Sequence, residues 1–146
     1  SGLEIWLEPG RYLVAESGVL LTKVTQLKGK GSTRYVGVAT GMNSLIRPAL
    51  YGAYHEIVNL SRLDEARGNV VNVVGPICEN SDKFLSKTTF PKIEEQDYVC
   101  LTHVGAYGMS LSSNYNIRPT VAEIMVSGSK HKLIKKRQNL KDLIKN

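Results

Sequence analysis

The sequence has few cysteines, no long apolar run and no basic-then-apolar pattern in its first residues. Its two cysteines among 146 residues could form one bridge, but a chain of this size can bury a core without one, so we predict free thiols. No segment approaches the roughly 20 apolar residues that cross a bilayer, and no basic-then-apolar pattern opens the chain. We therefore expect a soluble, cytoplasmic protein.

The sequence also has no charge excess outside its last residues. Residues 130–146 carry seven lysines and arginines against Asp142 alone, whereas residues 1–129 carry twelve residues of each sign. A basic run this short is more often a solvated surface than a nucleic-acid site. We therefore predict no nucleic-acid partner. The alternative is binding through residues 130–146, which would weaken steeply with salt.

Hydrophobic patterning predicts a mainly β chain. Predicted strands share β-branched residues, alternation or short apolar runs, and they cover 3–7, 19–28, 34–40, 55–60, 69–77, 98–105 and 120–127. The first of them, LEIWL, is apolar enough to be buried. Many short strands with turn-rich connections indicate a β-sandwich or barrel.

The remaining segments are predicted to be helical or irregular. A helix is predicted over 11–18 and one helical turn between 41 and 56. Residues 81–97 are predicted to form a long polar connection. At the end of the chain, the spacing of Leu133, Leu140, Leu143 and Ile144 suits an amphipathic helix or a frayed tail.

Four segments concentrate residues that can do chemistry. The segment CENSD, from Cys78 to Asp82, follows a predicted strand and packs a thiol beside two carboxylates. Segment ends of this kind are where functional groups usually lie. The other three are LEPGR around a Pro-Gly turn, RPALYGAY with one arginine and two tyrosines, and GAYG at 105–108. None of these is a self-sufficient motif by spacing alone.

Taken together and in order, these segments resemble one enzyme family. LEPGRYLVAESGVLL, GMNSLIRPALYGAYHEI, VVGPICENSD and GAYGMSLSSNYNIRPTVAEIMV resemble the carboxy-terminal part of the diaminopimelate decarboxylases. These are pyridoxal 5'-phosphate enzymes of the alanine racemase-like class, with an amino-terminal (β/α)8 barrel and a carboxy-terminal β domain. The resemblance implies that residues 1–18 are the last strand-helix piece of the barrel, 19–129 the β domain, and 130–146 a basic helix or tail.

The resemblance also implies a deficit. The barrel lysine that binds the cofactor covalently and the glycine-rich phosphate loop belong to a part of the family's chain that this sequence does not contain. We therefore expect a fragment of a decarboxylase that converts meso-diaminopimelate to L-lysine and carbon dioxide, with no activity of its own. The alternatives are a β-rich interaction module without catalysis, or a decarboxylase for ornithine or arginine.

The family roles map onto specific residues of this chain. Glu8 matches the carboxylate that keeps the cofactor ring nitrogen protonated, and Gly10, Arg11 and Tyr107 match residues at the cofactor. Arg11 and Tyr107 also match substrate-contacting positions. An arginine suits both phosphate and carboxylate because its guanidinium is a permanently charged planar fork. In each case the competing interpretation is ordinary packing or a solvated charge.

The remaining roles concern proton donation and substrate choice. Cys78 matches the general acid that protonates the α-carbon, since a thiol is still protonated at neutral pH. Arg47 and Tyr51 match the distal-carboxylate site, and Glu79 matches the partner of the distal ammonium. The resemblance further implies a homodimer in which Cys78 and Glu79 act in the partner's site. Asn80 departs from the family, which usually has serine there.

No metal site is predicted. His55 and His103 have no metal-ligand spacing with each other or with Cys78. We interpret both histidines, and Cys100, as packing residues.

Overall fold

The computed structural model describes residues 2–144 and contains eight strands within that range. They are β1 (Leu20–Lys30), β2 (Thr33–Val38), β3 (Ile57–Asn59), β4 (Arg67–Val74), β5 (Lys83–Pro91), β6 (Tyr98–Leu101), β7 (Glu123–Ser127) and β8 (Lys130–Lys135). The α-helices are α1 (Gly10–Val14), α2 (Arg47–Tyr51) and α3 (Leu140–Leu143), with 3-10 turns at Ala15–Ser17, Met109–Leu111 and Tyr115–Ile117. Among these residues no helix has the length and apolar character to cross a membrane.

Six strands form a nearly closed, barrel-like mixed sheet in the order β3-β6-β1-β2-β4-β5. β1 joins its two halves, because its first residues pair with β6 and its later residues pair with β2, both antiparallel. The register shifts between Val24 and Gln26, and a bulge of this kind bends a strand and raises its twist. β2 and β4 are parallel. The predicted mainly β, barrel-like class is confirmed.

The core lies inside the curl of this sheet. Val24, Leu45 and Leu101 are almost completely buried there. Side chains alternate between the two faces of β4: Val71 and Val73 are buried, whereas Val70 is exposed. The other members of the cluster are Leu20, Val36, Val38, Ile57, Phe84, Phe90 and Val99.

The predicted buried strand at 3–7 is wrong. Residues 3–7 have no strand assignment, and the side chains of Leu3, Ile5, Trp6 and Leu7 are more than four-fifths exposed. A barrel strand is buried by neighbouring strands and helices, and no described segment of this chain pairs with residues 3–7. The apolar pattern is therefore present without the elements that would bury it.

The predicted polar connection at 81–97 is also wrong, because it contains β5. This strand pairs antiparallel with β4 from Lys83 to Pro91. Phe84 and Phe90 are buried on the core face, but Lys87 between them has a φ of 49°. The resulting irregularity interrupts the alternation by which a strand is recognised in sequence.

The chain ends differently from the predicted helix or tail. β8 pairs antiparallel with β7 in a separate two-stranded sheet, joined by a turn in which Gly128 has a φ of 58°. Only Leu140–Leu143 is helical, with Asn139 and Asp142 forming a capping box. Every residue of β8 is exposed, so no burial period distinguishes strand from helix there. The predicted helix also covers residues 145 and 146, which lie outside the described residues.

Candidate active site

Helix α1 is fastened to the loop that follows β6. The Gly105 N–H donates to the Ala15 carbonyl at 2.9 Å, and the Val104 N–H donates to the Gly18 carbonyl at 2.9 Å. A Cβ on Gly105 would overlap the carbonyl oxygen of Val14, so this approach requires a residue without a side chain. The attachment holds the residues around Gly10 beside the loop 105–108.

Tyr107 projects from this loop towards Gly10. Its φ of 58° is in the left-handed region, which non-glycine residues adopt rarely and mostly where the surroundings enforce it. A Cβ on Gly10 would lie 2.8 Å from the Tyr107 hydroxyl oxygen. The structure thus brings together two predicted cofactor residues that are far apart in sequence.

Arg47 lies between two tyrosine rings. It opens α2, and its guanidinium carbon is 5.9 Å from the Tyr51 ring centroid and 5.6 Å from that of Tyr107, within the range of cation–π attraction. The tyrosine four residues on shares a helical face with it. The Arg47 Nε is buried and has no hydrogen-bond partner. A buried, unpaired donor on a cation is suited to an anionic acceptor.

His55 lies behind this cluster. Its Nδ1–H donates to the Thr102 carbonyl at 2.9 Å, which leaves Nε2 as an acceptor, and Nε2 is buried without a partner. Burial lowers the pKa of His55, and the charges of Arg47, Arg11 and His103 lower it further, against the raising effect of the Thr102 bond. The neutral form is therefore favoured. Arg47 thus lies in positively charged surroundings, and the Nε2 of the neutral His55 adds a hydrogen-bond acceptor.

The Cys78–Asp82 segment forms a second site built around the Asp82 carboxylate. Asp82 Oδ2 accepts from the Ile77 N–H at 2.7 Å and Oδ1 from the Met42 N–H at 2.7 Å. A Cβ on Gly75 would overlap this carboxylate, and one on Gly41 would lie 3.0 Å from it. Burial raises the pKa of Asp82, against the effect of the two donors and of Arg118. Asp82 thereby ties the segment to residues 41–42.

Cys78 and Glu79 point away from the core at this second site. Both are exposed, and they line an open cleft of about 480 Å³ with Ile77 and Asn80. No hydrogen bond, ion pair or ring contact among residues 2–144 joins Cys78 or Glu79 to the Arg47 cluster. Glu8 and Arg11 lie on the exposed amino-terminal segment.

The roles that the sequence predicts for these residues stay predictions, whereas the structure shows which of them lie together. Both cysteines are free thiols, as predicted, with Cys100 buried. His55 is buried, as its interpretation as a packing residue requires, but the charges of Arg47 and Arg11 act on it and its Nε2 is unpaired. No sequence signal indicates this proximity, because α2 ends at Tyr51 and helical spacing does not extend to His55. Among the described residues, no three metal-binding side chains group together.

Comparison with known proteins identifies the family. The sequence model described as "Pyridoxal-dependent decarboxylase, C-terminal sheet domain" matches residues 11–105. The chain belongs to this family. A curated relative, the diaminopimelate decarboxylase of Haemophilus influenzae, is 48% identical over 97% of this chain. That of Archaeoglobus fulgidus is 43% identical over 97% of the chain. The alignments cover 34% and 33% of these relatives, so this chain spans about a third of their length.

Solved structures agree with this assignment. Diaminopimelate decarboxylase from Helicobacter pylori, complexed with L-lysine, superposes with a TM-score of 0.84 and 43% identity over 93% of this chain and 33% of its own. The lysine/ornithine decarboxylase from Vibrio vulnificus, complexed with cadaverine, shares the fold at a TM-score of 0.66 and 18% identity, over 75% of this chain and 30% of its own. The predicted family resemblance is confirmed. The division of the chain at residues 18 and 129 stays a prediction.

Proposed function

We propose that this chain is the C-terminal part of a cytoplasmic, pyridoxal 5'-phosphate-dependent diaminopimelate decarboxylase that converts meso-diaminopimelate to L-lysine and carbon dioxide. The observation that carries the proposal is the buried, unpaired Nε of Arg47 between Tyr51 and Tyr107. Relatives named diaminopimelate decarboxylase at 43% to 48% identity support the substrate class. The chain alone is expected to be inactive, because it spans about a third of those relatives.

The residues around α1 and Tyr107 fit the cofactor. Tyr107 already lies against Gly10, and the nearby charges of Arg11 and Arg47 act together on His55, as suits a site for phosphate and carboxylate groups. Glu8 would hold the proton on the ring nitrogen, and Arg11 would contact phosphate or substrate. When bound, pyridoxal phosphate supplies the electron sink for the carbanion left by loss of carbon dioxide.

Meso-diaminopimelate carries a second ammonium and a second carboxylate at its distal end, whereas ornithine carries only an ammonium there. A buried site must pair both, because an unpaired buried charge is costly. Arg47 would bind the distal carboxylate, and Tyr51 would complete that site. Glu79 would accept the distal ammonium. A diamine precursor has no group for Arg47, so the combination favours diaminopimelate.

Proton return to the α-carbon is assigned to Cys78. An exposed thiol in an open cleft can reach a substrate that approaches from another molecule, whereas a buried thiol such as that of Cys100 cannot. Because Cys78 and Glu79 lie apart from the Arg47 cluster within this chain, we infer a homodimer in which they act in the partner's site. After carbon dioxide leaves, the Cys78 thiol donates its proton to the α-carbon and becomes a thiolate, which regains a proton from solvent.

The first experiment measures L-lysine release from meso-diaminopimelate by the full reading frame with added pyridoxal phosphate. Arg47→Gln should raise KM by about tenfold or more, since it removes a charge-assisted bond of roughly 1.5–3 kcal/mol. Arg34→Gln, at an exposed position of β2, is the matched control and should leave KM unchanged. Ornithine as the better substrate, or an unaltered KM in Arg47→Gln, would exclude diaminopimelate as the ligand of Arg47. Lysine release by this chain alone would contradict the expectation that catalysis requires the part of the relatives that this chain does not cover.

The trans arrangement has its own test. Full-length Cys78→Ala and Arg47→Gln proteins should each be impaired, and equal mixing should restore about a quarter of the wild-type site activity, because half of the dimers then hold one intact site of two. If both residues serve the same site from one chain, every site in the mixture is defective. No recovery in dimers shown to exchange subunits would therefore exclude the trans model while leaving the reaction assignment intact.

A further inference from the structure

A separate cavity of about 440 Å³ shares no lining residue with the Arg47 cluster or the Cys78–Asp82 segment. It is bounded by the first half of β1, by the turn after β2, and by two stretches near the end of the chain, around Arg118 and Arg137. Three cationic residues line it, Lys23, Arg118 and Arg137, and no aspartate or glutamate does. Its volume is within the range of small-molecule sites.

None of these three cations forms an ion pair among the fully described residues, although Arg118 is near enough to Asp82 for its charge to act against the raised pKa of that carboxyl. The Lys23 Nζ lies 5.4 Å from the Tyr98 ring centroid, and an Arg118 guanidinium N–H donates to the Ala39 carbonyl at 3.2 Å. Carboxylates instead pair with Arg62 and Lys92 elsewhere in the described part of the chain. Like charges around one cavity repel each other, and a bound anion would remove that cost.

Gln138 fixes the position of the segment that carries Arg137. The Gln138 N–H donates to the Thr120 carbonyl at 3.2 Å, and Gln138 Oε1 accepts from the Thr120 N–H at 3.1 Å and from Asn114 at 2.6 Å. This doubly bonded contact keeps the segment after β8 against the body of the domain. Arg137 is therefore presented by a fixed backbone.

The remaining lining offers both polar and apolar contacts. Thr40 and Asn43 line the cavity, and their buried Oγ1 and Oδ1 atoms have no hydrogen-bond partner. Buried polar atoms are usually paired in native proteins. Apolar contact is available from Leu21, Pro119 and Val121. The lining thus combines charge for an anionic group with a surface for a short hydrocarbon body.

We propose that this cavity binds a small organic anion whose carboxylate or phosphate group contacts Lys23, Arg118 and Arg137. None of its lining residues is among those assigned to substrate or cofactor, and the inference does not rest on the proposed function. Arg118 and Lys23 form its half-buried interior, and Arg137 forms its exposed rim.

The test is isothermal titration calorimetry of the full-length, cofactor-loaded protein with glutarate and with inorganic phosphate, in low-salt buffer. Saturable binding of at least one probe is expected. Arg137→Gln should weaken the binding by about tenfold through the lost charge-assisted contact. Lys23→Met should weaken the binding more than Arg137→Gln does. Lys136→Gln removes the same charge from the adjacent residue outside the cavity and should leave the affinity unchanged. The affinities for glutarate and for phosphate show whether the site prefers a carboxylate or a phosphate group.

Three outcomes would overturn the proposal. One is the absence of saturable binding of both probes in the wild-type protein. Another is an equal loss in Lys136→Gln and Arg137→Gln, which would mean that general charge attraction explains the binding. The third is loss in Arg47→Gln with no loss in Arg137→Gln, which would place the anion at the candidate active site. None of these readouts depends on turnover, so the proposal can fail while the decarboxylase assignment stands.

Discussion

Removal of the Asp82 carboxylate should loosen the segment that carries Cys78 and Glu79. Asp82 is 3% exposed and accepts two backbone N–H groups, from Met42 and Ile77, each at 2.7 Å. In Asp82→Ala both donors stay buried and lose their partner. In Asp82→Asn one oxygen remains to accept, while the amide NH2 faces the other donor.

The magnitude follows from two opposing effects. Each bond to an ionised acceptor contributes roughly 1.5–3 kcal/mol, and the buried donors cost more once unpaired. Against this, burial raises the pKa of Asp82, so the two bonds do not fully offset the desolvation of the ionised carboxylate. We expect Asp82→Ala to lose about 2–4 kcal/mol of local stability and Asp82→Asn about half of that.

Hydrogen exchange of the full-length protein measures this locally. The amides of Gly75 and Ser44 keep their backbone acceptors, Asp82 O at 3.0 Å and Gly41 O at 2.9 Å, and therefore report opening of the segment. Both should exchange at least tenfold faster in Asp82→Ala, since about 1.4 kcal/mol corresponds to a factor of ten. Asp64→Asn, an exposed aspartate, should change neither. Wild-type exchange at both amides in Asp82→Ala would refute the assignment of Asp82 as the anchor.

Two further predictions concern the loop after β6 and the histidine behind Arg47. Gly105→Ala should lower the denaturant midpoint by the equivalent of about 2 kcal/mol or more, because its Cβ overlaps a backbone carbonyl of α1. Gly68→Ala meets no atom within 4 Å and serves as the control; equal midpoints would contradict the close contact. His55 has a lowered pKa in the fold, so its contribution to stability is present above its unfolded pKa of about 6.5 and is lost as pH falls through the folded pKa. His55→Gln should therefore flatten the fall in thermal midpoint below about pH 6.5, and an unchanged pH profile would show that His55 does not titrate with unfolding.

Local patterns were sufficient for the strands that alternate regularly. The sequence predicts β1, β2 and β4 at nearly their observed places because their buried apolar residues alternate, and it predicts β6 from a short, continuous apolar run that is buried from Val99 to Leu101. β5 was missed because the left-handed residue Lys87 shifts the pattern between Phe84 and Phe90. Periodicity measures regular burial, so a bulged strand escapes it even when it pairs over its whole length.

The site could be predicted as a set of residues but not as an arrangement. The proximity of Arg47 to Tyr51 follows from helical spacing, whereas its proximity to Tyr107 depends on where α2 and the loop after β6 meet in the folded sheet. The unpaired atoms of Arg47 and His55 depend on packing at the same place. These facts are long-range, and no local pattern encodes them.

The exposed amino-terminal segment and the unpaired atoms of Arg47 and His55 have a common explanation. Leu3, Ile5 and Trp6 expose large apolar surfaces, and a stable domain rarely exposes several such side chains together without a partner for them. This segment continues through Gly10 to the contact with Tyr107, so whatever covers residues 3–7 lies beside the Arg47 cluster. A barrel at that position would bury the apolar segment and close the cationic cluster at once. We therefore expect the missing barrel to rest on the same surface that carries the Arg47 cluster.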